Sequence, residues 1–475
     1  MHACSYIVVF ALFSAVNAHV ALRPALNIRA PVFHPVPARS VAPVALEVPP
    51  ALTSAAKTSA SLGAIVTADS MLRRQFVARA IPFPSSLAGM LGLFSTLCVL
   101  QATVPAAASK IAGAAQPGCD FISRWLALFF VPNLVVLPLV LQMSALEFAK
   151  LATVIVVGLG ASLPLAAITA ASVLPKGESS TASTAAAAPA APSAPAVTQY
   201  LLNPPLLVTS ALAAGCGGLA LAGVAPAFNV FLLLSTVCGF VAGGRVPKQY
   251  QKALHPLISS TLLTQATVFL FATVAGRPLK ATLRSYLTPG AAPLATPGNL
   301  LLFMLGPATL SFGFQMFSRR KLMRQSAKAV SSVTAVAASF GLFATAFAGR
   351  LLRMDIPYRL AALPRQVTAP LAIAIAGILK ADPSLAATIV VVTGLLCANF
   401  GRAVLDALGI EAPVARGLAM GAAGHGLGTA AMVEEKEAFP FAAIAMALNA
   451  ALSTVLVSVP AVRKLLLAAA GVPAA

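Results

Sequence analysis

The chain contains 475 residues, of which 59% are hydrophobic and only 9% are charged, and its formal net charge is +20. Soluble domains carry about 25% charged residues, so this composition excludes an ordinary soluble domain and predicts a protein that crosses a lipid bilayer several times. The positive charge does not indicate a nucleic-acid partner. The lysines and arginines stand in short clusters between apolar stretches, as they do in the loops of membrane proteins.

The cysteines and histidines do not suggest a metal or redox site. The six cysteines are scattered without a Cys-x-x-Cys pair, and the five histidines lack metal-ligand spacing. Neither a set of serine, histidine and aspartate nor a pair of carboxylates suited to acid–base catalysis is evident. The sequence therefore predicts no metal, no cofactor and no enzymatic activity.

The first 78 residues have the composition of a targeting segment. Residues 6–16 form an apolar stretch that is too short to span a bilayer, and Val16-Asn17-Ala18 follows with small residues, which predicts a signal peptide over residues 1–18. Residues 19–78 are poor in acids, carry several arginines and are rich in alanine, proline and serine, which is typical of a disordered transit peptide. This arrangement predicts delivery to a plastid, and a disordered lumenal tail is the alternative.

Apolar stretches along the rest of the chain predict about eleven or twelve transmembrane helices, because backbone polar groups inside a bilayer must pair within each segment. They cover residues 85–105, 121–142, 151–173, 200–222, 226–243, 256–276, 299–317, 328–349, 366–380, 384–408, 413–432 and 438–460. Residues 176–198 are rich in alanine, serine and proline and predict a linker without a packed core. The predicted fold is all-α, with membrane domains over residues 79–175 and 199–475. Inverted repeats in the second domain are an open alternative.

Several predicted spans contain residues that break helices. Pro132 lies inside one span, Gly306 and Pro307 lie inside another, and Pro370 lies near the start of a third. A proline inside a helix removes a hydrogen bond, which a membrane protein tolerates where the freed groups are buried in protein or line a wet cavity. Because broken helices mark the substrate sites of many secondary transporters, these positions predict where the chain is interrupted for function.

The stretch Gly424-His425-Gly426-Leu427-Gly428-Thr429 places an ionisable ring in an apolar, glycine-rich segment. It is not a phosphate-binding loop, since it lacks the lysine and the preceding strand of that motif. Two interpretations remain open. The glycines either allow close contact between helices, or they break a helix whose N–H groups and His425 meet an anionic substrate.

A second polar group, Arg365-Gln366-Val367-Thr368, directly precedes an apolar stretch. Arg365 is either an interfacial arginine that reaches toward water or the partner of a substrate carboxylate, which its planar guanidinium can bind with two hydrogen bonds. Gln366 and Thr368 are candidates to bind a substrate hydroxyl. Asn399 and Asn449 lie inside other apolar stretches, where each either binds substrate or bonds to a neighbouring helix.

At this point the sequence resembles two known membrane protein families. Ile81-Pro82-Phe83-Pro84-Ser85-Ser86-Leu87-Ala88-Gly89-Met90 and Leu128-Phe129-Phe130-Val131-Pro132 resemble the LrgA family. Gly306-Pro307-Ala308-Thr309, Thr393-Gly394 and His425-Gly426-Leu427-Gly428-Thr429-Ala430 resemble the LrgB family. A fusion of both behind a plastid address is similar to the family of plastid glycolate/glycerate translocators.

This resemblance implies a secondary transporter that exchanges glycolate and glycerate across the plastid inner envelope during photorespiration. The expected partners are lipids and small carboxylates, and a coupled proton and association of identical chains are left open. From its position and its usual pKa, His425 would either bond to the substrate or carry that proton. The rival interpretations are a holin-like pore or envelope-integrity protein, and a carrier of other monocarboxylates such as pyruvate.

Overall fold

The computed structural model describes residues 50–81, 83–140, 143–174, 205–246, 256–288 and 290–472. Within these ranges every regular element is a helix, which confirms the predicted all-α class. The predicted signal peptide, residues 19–49 of the predicted transit segment and the predicted linker over residues 176–198 lie outside the described residues.

The helices fall into a first group of six and a second group of fourteen along the chain. The first group is α1 Pro50–Ala78, α2 Ser85–Thr103, α3 Pro105–Trp125, α4 Val131–Val135, α5 Leu137–Val140 and α6 Ala145–Val173. The second group is α7 Pro205–Leu221, α8 Ala225–Gly243, α9 Pro256–Val274, α10 Leu279–Tyr286, α11 Pro297–Phe303, α12 Leu305–Ser318, α13 Arg320–Gln325, α14 Ala327–Leu351, α15 Ile356–Ala362, α16 Ala369–Ile378, α17 Pro383–Ala407, α18 Pro413–Ala431, α19 Phe439–Ser458 and α20 Pro460–Ala469.

In the described parts of the chain, eight spans have the length and composition needed to cross a membrane, or nine if the bent pair of α3 with the turns over Leu128–Leu139 is counted as one. The sequence predicted eleven or twelve. The difference arises where a predicted stretch does not form one continuous long helix. Residues 366–380 contain a turn followed by the ten-residue α16, α18 is interrupted at His425, and the stretch 200–222 is described only from residue 205 and is counted as a shorter apolar helix.

Prolines begin many of the helices, because a proline in the first turn removes an N–H that has no partner within the helix. Pro370 is the second residue of α16 and directly follows the turn that interrupts the predicted span 366–380. Pro132 is the second residue of α4, after a bend of 56° between α3 and the following turns. Met304 lies between α11 and α12, and Gly306 and Pro307 are the second and third residues of α12.

Residues 50–78 form the long helix α1, which corrects the prediction that they are disordered. The hydroxyl of Ser61 donates to the Ala115 carbonyl oxygen at 2.9 Å and accepts from the Gly118 N–H at 3.0 Å, so α1 is joined directly to α3. Asp69 is fully buried and pairs with Arg73 at 3.1 Å. The alanine-rich composition that suggests a targeting peptide also favours a helix, because alanine has the highest helix propensity.

The helices that surround the candidate site come from both groups. Helix α6 lies against α14, α17 and α18, and α18 lies against α19. Their shared core is built largely from alanines, among them Ala167, Ala337, Ala419 and Ala442. Small side chains let helix backbones approach one another closely, which is how membrane helices associate without a hydrophobic driving force between them.

Candidate functional site

Arg365 lies in a turn between α15 and α16 and is fully buried. Pro364 ends the helical stretch before it, and the Arg365 N–H bonds to the Ala362 carbonyl oxygen at 3.1 Å. Its Nε donates to the Thr345 hydroxyl of α14 at 2.9 Å. Its Nη1 and Nη2 atoms have no hydrogen-bond partner among the described residues, and no described carboxylate lies within 4.0 Å of it.

The next two polar side chains of this turn are also buried without partners. The amide of Gln366 lies against Gly341 of α14, and neither its Nε2 nor its Oε1 is paired with another described group. Thr368 precedes α16 at the capping position, where a threonine hydroxyl commonly accepts from the first turn of the helix. Its hydroxyl makes no such bond and has no other partner within the described ranges.

Asn449 of α19 connects this turn to α18. Its Nδ2 donates to the Gln366 carbonyl oxygen at 3.1 Å and to the Ala422 carbonyl oxygen at 3.0 Å. Its Oδ1 is unpaired in the described part of the structure. One side chain therefore joins the two polar groups that the sequence predicted separately, and Arg365, Gln366, Thr368 and Asn449 form one candidate cluster.

His425 is the point at which α18 is interrupted. Its backbone has φ 44° and ψ −136°, so α18 consists of two half-helices over residues 413–424 and 426–431. A Cβ atom on Gly428 would lie 2.5 Å from the Met420 carbonyl oxygen, whereas eight residues of continuous helix would separate these positions by about 12 Å. The chain therefore folds back at His425, and we call residues 413–431 the His425 hairpin.

The ring of His425 is buried against α17. Its Nε2 lies 2.8 Å from the Val390 carbonyl oxygen, and the ring covers Gly394. Carbonyl oxygen is only an acceptor, so the hydrogen bond requires the proton on Nε2. The neighbouring Thr429 donates from its hydroxyl to the Ala442 carbonyl oxygen at 3.2 Å. These contacts hold the hairpin on α17 and α19.

The glycines of the hairpin serve packing rather than backbone freedom. Gly417 and Gly421 lie directly against the backbone of residues 438 and 442, and Gly424 lies against Cys397. The positive φ falls on His425 and not on Gly424, Gly426 or Gly428. Gly426 has only the Met446 sulfur nearby, at 3.8 Å from an added Cβ atom. The two interpretations of the motif therefore apply to different residues, since glycines make the contacts and histidine makes the break.

Asn399, another predicted site residue, lies on α17, the helix that the His425 ring contacts. It is half-buried on α17, five residues beyond Gly394, which corresponds to about 7 Å along the helix axis. The glutamates after the hairpin pair with arginines near the ends of the helices. Glu434 bonds to Arg402 at 2.9 Å, and Glu435 forms a two-pronged pair with Arg416 at 2.7 Å.

Sequence reasoning missed three residues that shape the site. Thr345 bonds to Arg365, Gly341 leaves room for Gln366, and Gly158 of α6 lies against the Arg365 guanidinium. A threonine or glycine inside an apolar helix is common, so the sequence carries no signal that separates these three from other small residues. Their importance becomes visible only when the turn that contains Arg365 is placed between α6 and α14.

The cluster has the donors and acceptors needed to bind a small anion that carries a hydroxyl group. Arg365 offers two N–H groups in the fork geometry that suits a carboxylate. Gln366, Thr368 and Asn449 offer acceptors for a hydroxyl and further donors. Buried polar groups in proteins are normally paired, so a concentration of unpaired ones requires an explanation such as a ligand. The described residues contain no group of three histidine, cysteine or acidic side chains that could hold a metal ion.

Comparison with known proteins places two family matches in chain order. The LrgA family matches residues 74–170, and the LrgB-like family matches residues 236–462. The chain is 39% identical over 421 residues to the plastidal glycolate/glycerate translocator 1, chloroplastic, of Arabidopsis thaliana, which covers 86% of this chain and 80% of that protein.

Bacterial relatives match parts of the chain. The holin-like protein CidB of Staphylococcus epidermidis is 23% identical over 233 residues, or 48% of this chain and 94% of that protein. The antiholin-like protein LrgB of Bacillus cereus is 24% identical over 142 residues, or 30% of this chain and 62% of that protein. No solved structure matches the chain.

Proposed function

Because the chain belongs to the family of fused LrgA/LrgB membrane proteins, we propose that it is a carrier that exchanges glycolate and glycerate across a membrane. The observation that carries this proposal is the cluster of buried, unpaired polar atoms around Arg365. Both acids consist of a carboxylate with a neighbouring hydroxyl, which matches a guanidinium flanked by amide and hydroxyl groups. The relative from Arabidopsis thaliana bears the same activity in its name.

In the proposed complex the substrate carboxylate binds Nη1 and Nη2 of Arg365 while Thr345 keeps the guanidinium in place from its Nε side. The 2-hydroxyl group bonds to Thr368, Gln366 or the free Oδ1 of Asn449. A buried arginine without a counter-ion is costly in a membrane protein, and a bound carboxylate supplies the missing negative charge. The need for a counter-ion also favours an exchanger, because the Arg365 charge stays neutralised when one bound anion is replaced by another.

The His425 hairpin has a positioning role in this proposal. Asn449 bonds at once to the Arg365 turn and to Ala422, one turn before the break in α18. A movement of the hairpin would therefore change the position of Asn449 relative to Arg365. Broken helices of this kind allow the two facing states of secondary transporters to differ in their contacts with substrate. A proton that moves with the substrate, and association of identical chains, stay predictions.

A holin-like pore is the second candidate function, because a relative that matches 48% of this chain carries that name. The burial of Arg365 favours a carrier, since an arginine that lines a water-filled pore would be exposed to water. Counterflow in proteoliposomes tests both. A carrier loaded inside with glycerate takes up labelled glycolate faster than an empty vesicle does, and the rate saturates. A pore shows neither saturation nor stimulation, and that result would overturn the proposal.

The substrate range is tested in the same vesicles with labelled glycolate, glycerate, lactate and pyruvate. We expect the three 2-hydroxy acids to be preferred over pyruvate, because pyruvate lacks the hydroxyl that Thr368, Gln366 and Asn449 would bind. Equal transport of pyruvate would indicate a general monocarboxylate carrier, whose site reads only the carboxylate.

We further propose that the protein resides in the plastid inner envelope, as the chloroplastic relative suggests. Because residues 50–78 form the packed helix α1, the address would lie within residues 1–49. A fluorescent protein fused to residues 1–49 should then reach the plastid. A fusion that stays in the secretory pathway would support the alternative of a lumenal tail. Immunogold labelling of the full chain would separate the inner from the outer envelope membrane.

A further inference from the structure

The guanidinium of Arg365 rests on a helix from the other matched family segment. Gly158 belongs to α6 and to the residues that match the LrgA family, whereas Arg365 lies in the residues that match the LrgB-like family. A Cβ atom added to Gly158 would lie 2.6 Å from Nη2, 2.8 Å from Cζ and 3.0 Å from Nε of Arg365. The guanidinium therefore occupies the space that any other residue at position 158 would need.

Helix α6 is fixed in its position beside the Arg365 turn. Lys150 pairs with Glu147 at 2.6 Å and donates to the Arg353 carbonyl oxygen at 3.0 Å, and Glu147 accepts from the Asp355 N–H at 3.1 Å. These contacts join the start of α6 to the link between α14 and α15, the helix that leads to Arg365. Gly158 lies midway along the 29 residues of α6, about 20 Å from either end, which is the depth at which transporter sites are found.

We propose that the LrgA-matched segment forms one wall of the substrate site, and that Gly158 is the position in that wall that determines where the Arg365 guanidinium lies. This inference rests on the proposed function for its substrate, a small carboxylate. Gly158 is a positioning residue, because it acts through Arg365. The two matched segments then form a single transport unit. Because the Arg365 guanidinium packs directly against Gly158, the two segments must lie in close contact at this depth.

The surroundings of Arg365 explain why a methyl group at position 158 would matter. On its Nε side the guanidinium is bonded to Thr345, and the side chain is fully buried. It can make room for a methyl group only by moving away from α6, which strains or breaks the Thr345 bond. A misplacement of about 1 Å in a substrate-binding group can reduce a rate by about 100-fold. The flexibility of the arginine means that the protein itself should still fold.

Gly160 provides a matched control two residues away on the same helix. Nothing lies within 4 Å of a Cβ atom added to Gly160, and the residue is exposed on the surface of α6. Gly158→Ala and Gly160→Ala change helix propensity by the same amount. We expect Gly158→Ala to raise the KM for glycolate counterflow by about 10-fold or more, and Gly160→Ala to leave KM and maximal rate within about 2-fold of the unmodified chain.

A double-mutant cycle with Arg365→Lys tests whether Gly158 acts through Arg365. Arg365→Lys removes the planar group that a methyl at position 158 would meet, so the added cost of Gly158→Ala should disappear in the double variant. If the two substitutions acted independently, their effects on transport would multiply, and that result would overturn the proposed role of Gly158. The same cycle is measured by thermal unfolding in detergent, which reports the contact without any transport.

The two readouts also separate this inference from the proposed function. Should the unmodified protein fail to exchange any hydroxy acid while the two substitutions remain coupled in thermal unfolding, the proposed function fails and the wall stands. Should exchange be observed while Gly158→Ala behaves like Gly160→Ala, the proposed function stands and the wall is refuted.

Discussion

The Arg365 turn and the His425 hairpin are joined by one asparagine, yet they treat their polar groups in opposite ways. In the hairpin the His425 ring bonds to Val390 and the Thr429 hydroxyl bonds to Ala442. In the turn the buried atoms Nη1 and Nη2 of Arg365, both polar atoms of the Gln366 amide and the Thr368 hydroxyl have no partner among the described residues. The buried side-chain polar atoms of the hairpin that are named here are paired, whereas those of the turn are not.

This difference separates the feature that is most conspicuous in the sequence from the feature at which we propose that substrate binds. The histidine among glycines attracts attention because it is chemically unusual in an apolar stretch. Its ring bonds to the Val390 carbonyl oxygen of α17, and Asn449 bonds to the same hairpin at the Ala422 carbonyl oxygen. The Arg365 turn looks like an ordinary interfacial arginine in the sequence, and only its burial and its unpaired atoms distinguish it.

Substitution of Arg365 should have the largest effect, and it tests whether the unpaired polar atoms of the turn bind substrate. Arg365→Gln removes the charge that would bind the carboxylate, so we expect glycolate counterflow to fall by about 100- to 1,000-fold, equivalent to roughly 3–4 kcal/mol. Thermal unfolding should change little, because the variant also removes a buried charge that has no described counter-ion. Initial rates in proteoliposomes and melting curves in detergent measure both effects.

Arg402→Gln is the control for Arg365→Gln. Arg402 is partly exposed and pairs with Glu434 near the end of α17. A surface ion pair contributes about 0–1 kcal/mol, so this variant should transport at a rate close to that of the unmodified chain. Normal counterflow by Arg365→Gln would show that the unpaired atoms around Arg365 do not bind substrate.

Substitution of His425 tests the hairpin side of the comparison. His425→Ala removes the bond to Val390 and the ring that covers Gly394, but it keeps a Cβ atom at a positive φ. We expect it to destabilise the protein by about 2–4 kcal/mol and to abolish glycolate uptake. His425→Gly removes the same ring but relieves the backbone strain, so it should recover about 1 kcal/mol and part of the uptake.

The two His425 variants distinguish a requirement for the backbone fold-back from a requirement for the imidazole ring. Recovery of uptake by His425→Gly relative to His425→Ala would show that the fold-back itself supports transport. Two variants with equal loss of uptake, despite a difference in melting temperature, would show that the imidazole ring contacts the substrate or carries a proton. Normal uptake by His425→Ala would assign the whole motif to packing.

Much of the fold followed from the sequence because the dominant signal, long apolar stretches, has one solution in a bilayer. The errors occurred where composition has two meanings. Residues 50–78 carry the alanines and arginines of a targeting peptide, yet they form a helix that Ser61 joins to α3. Pro370 stands in the first turn of α16, just after the interruption over residues 363–368, and sequence alone did not locate that turn.

The candidate site could be predicted in its residue types but not in its arrangement. Arg365, Gln366, Thr368 and Asn449 were identified as polar residues in apolar surroundings, and the structure brings them together. Asn399 had the same signal and lies elsewhere on α17. Gly158 and Thr345 had no signal, because their role comes from contacts more than a hundred residues away in one case and twenty in the other. These contacts depend on helix packing, which periodicity does not specify.

Substitution of the hairpin glycines tests which of them are needed for close packing between helices. A Cβ atom at Gly421 would meet the backbone of Ala442 in α19, which cannot move aside as a side chain can. We expect Gly421→Ala to destabilise the protein by about 1–3 kcal/mol. Gly426→Ala has space for its methyl group beside Met446 and should be close to neutral. Equal melting temperatures for the two variants would contradict the assignment of Gly421 to close packing.

The smallest expected effect belongs to the hydroxyl of Thr368. A hydrogen bond to the substrate hydroxyl contributes about 0.5–1.5 kcal/mol, so Thr368→Val should weaken glycolate by up to about 10-fold. Pyruvate has no hydroxyl to lose this bond, and its transport should change less. The selectivity between the two acids, measured as a ratio of counterflow rates at low concentration, therefore reports the contact even if both rates fall.

Thr388→Val provides the control for this selectivity. Thr388 is also buried, but its hydroxyl donates to the Ser384 carbonyl oxygen within α17 at 2.9 Å and has no part in the cluster. Its loss should lower both rates equally or leave both unchanged. A Thr368→Val variant that keeps the selectivity of the unmodified chain would move the recognition of the hydroxyl to Gln366 and Asn449. Arg365 would then bind the carboxylate, and Gln366 and Asn449 would distinguish hydroxy acids from keto acids.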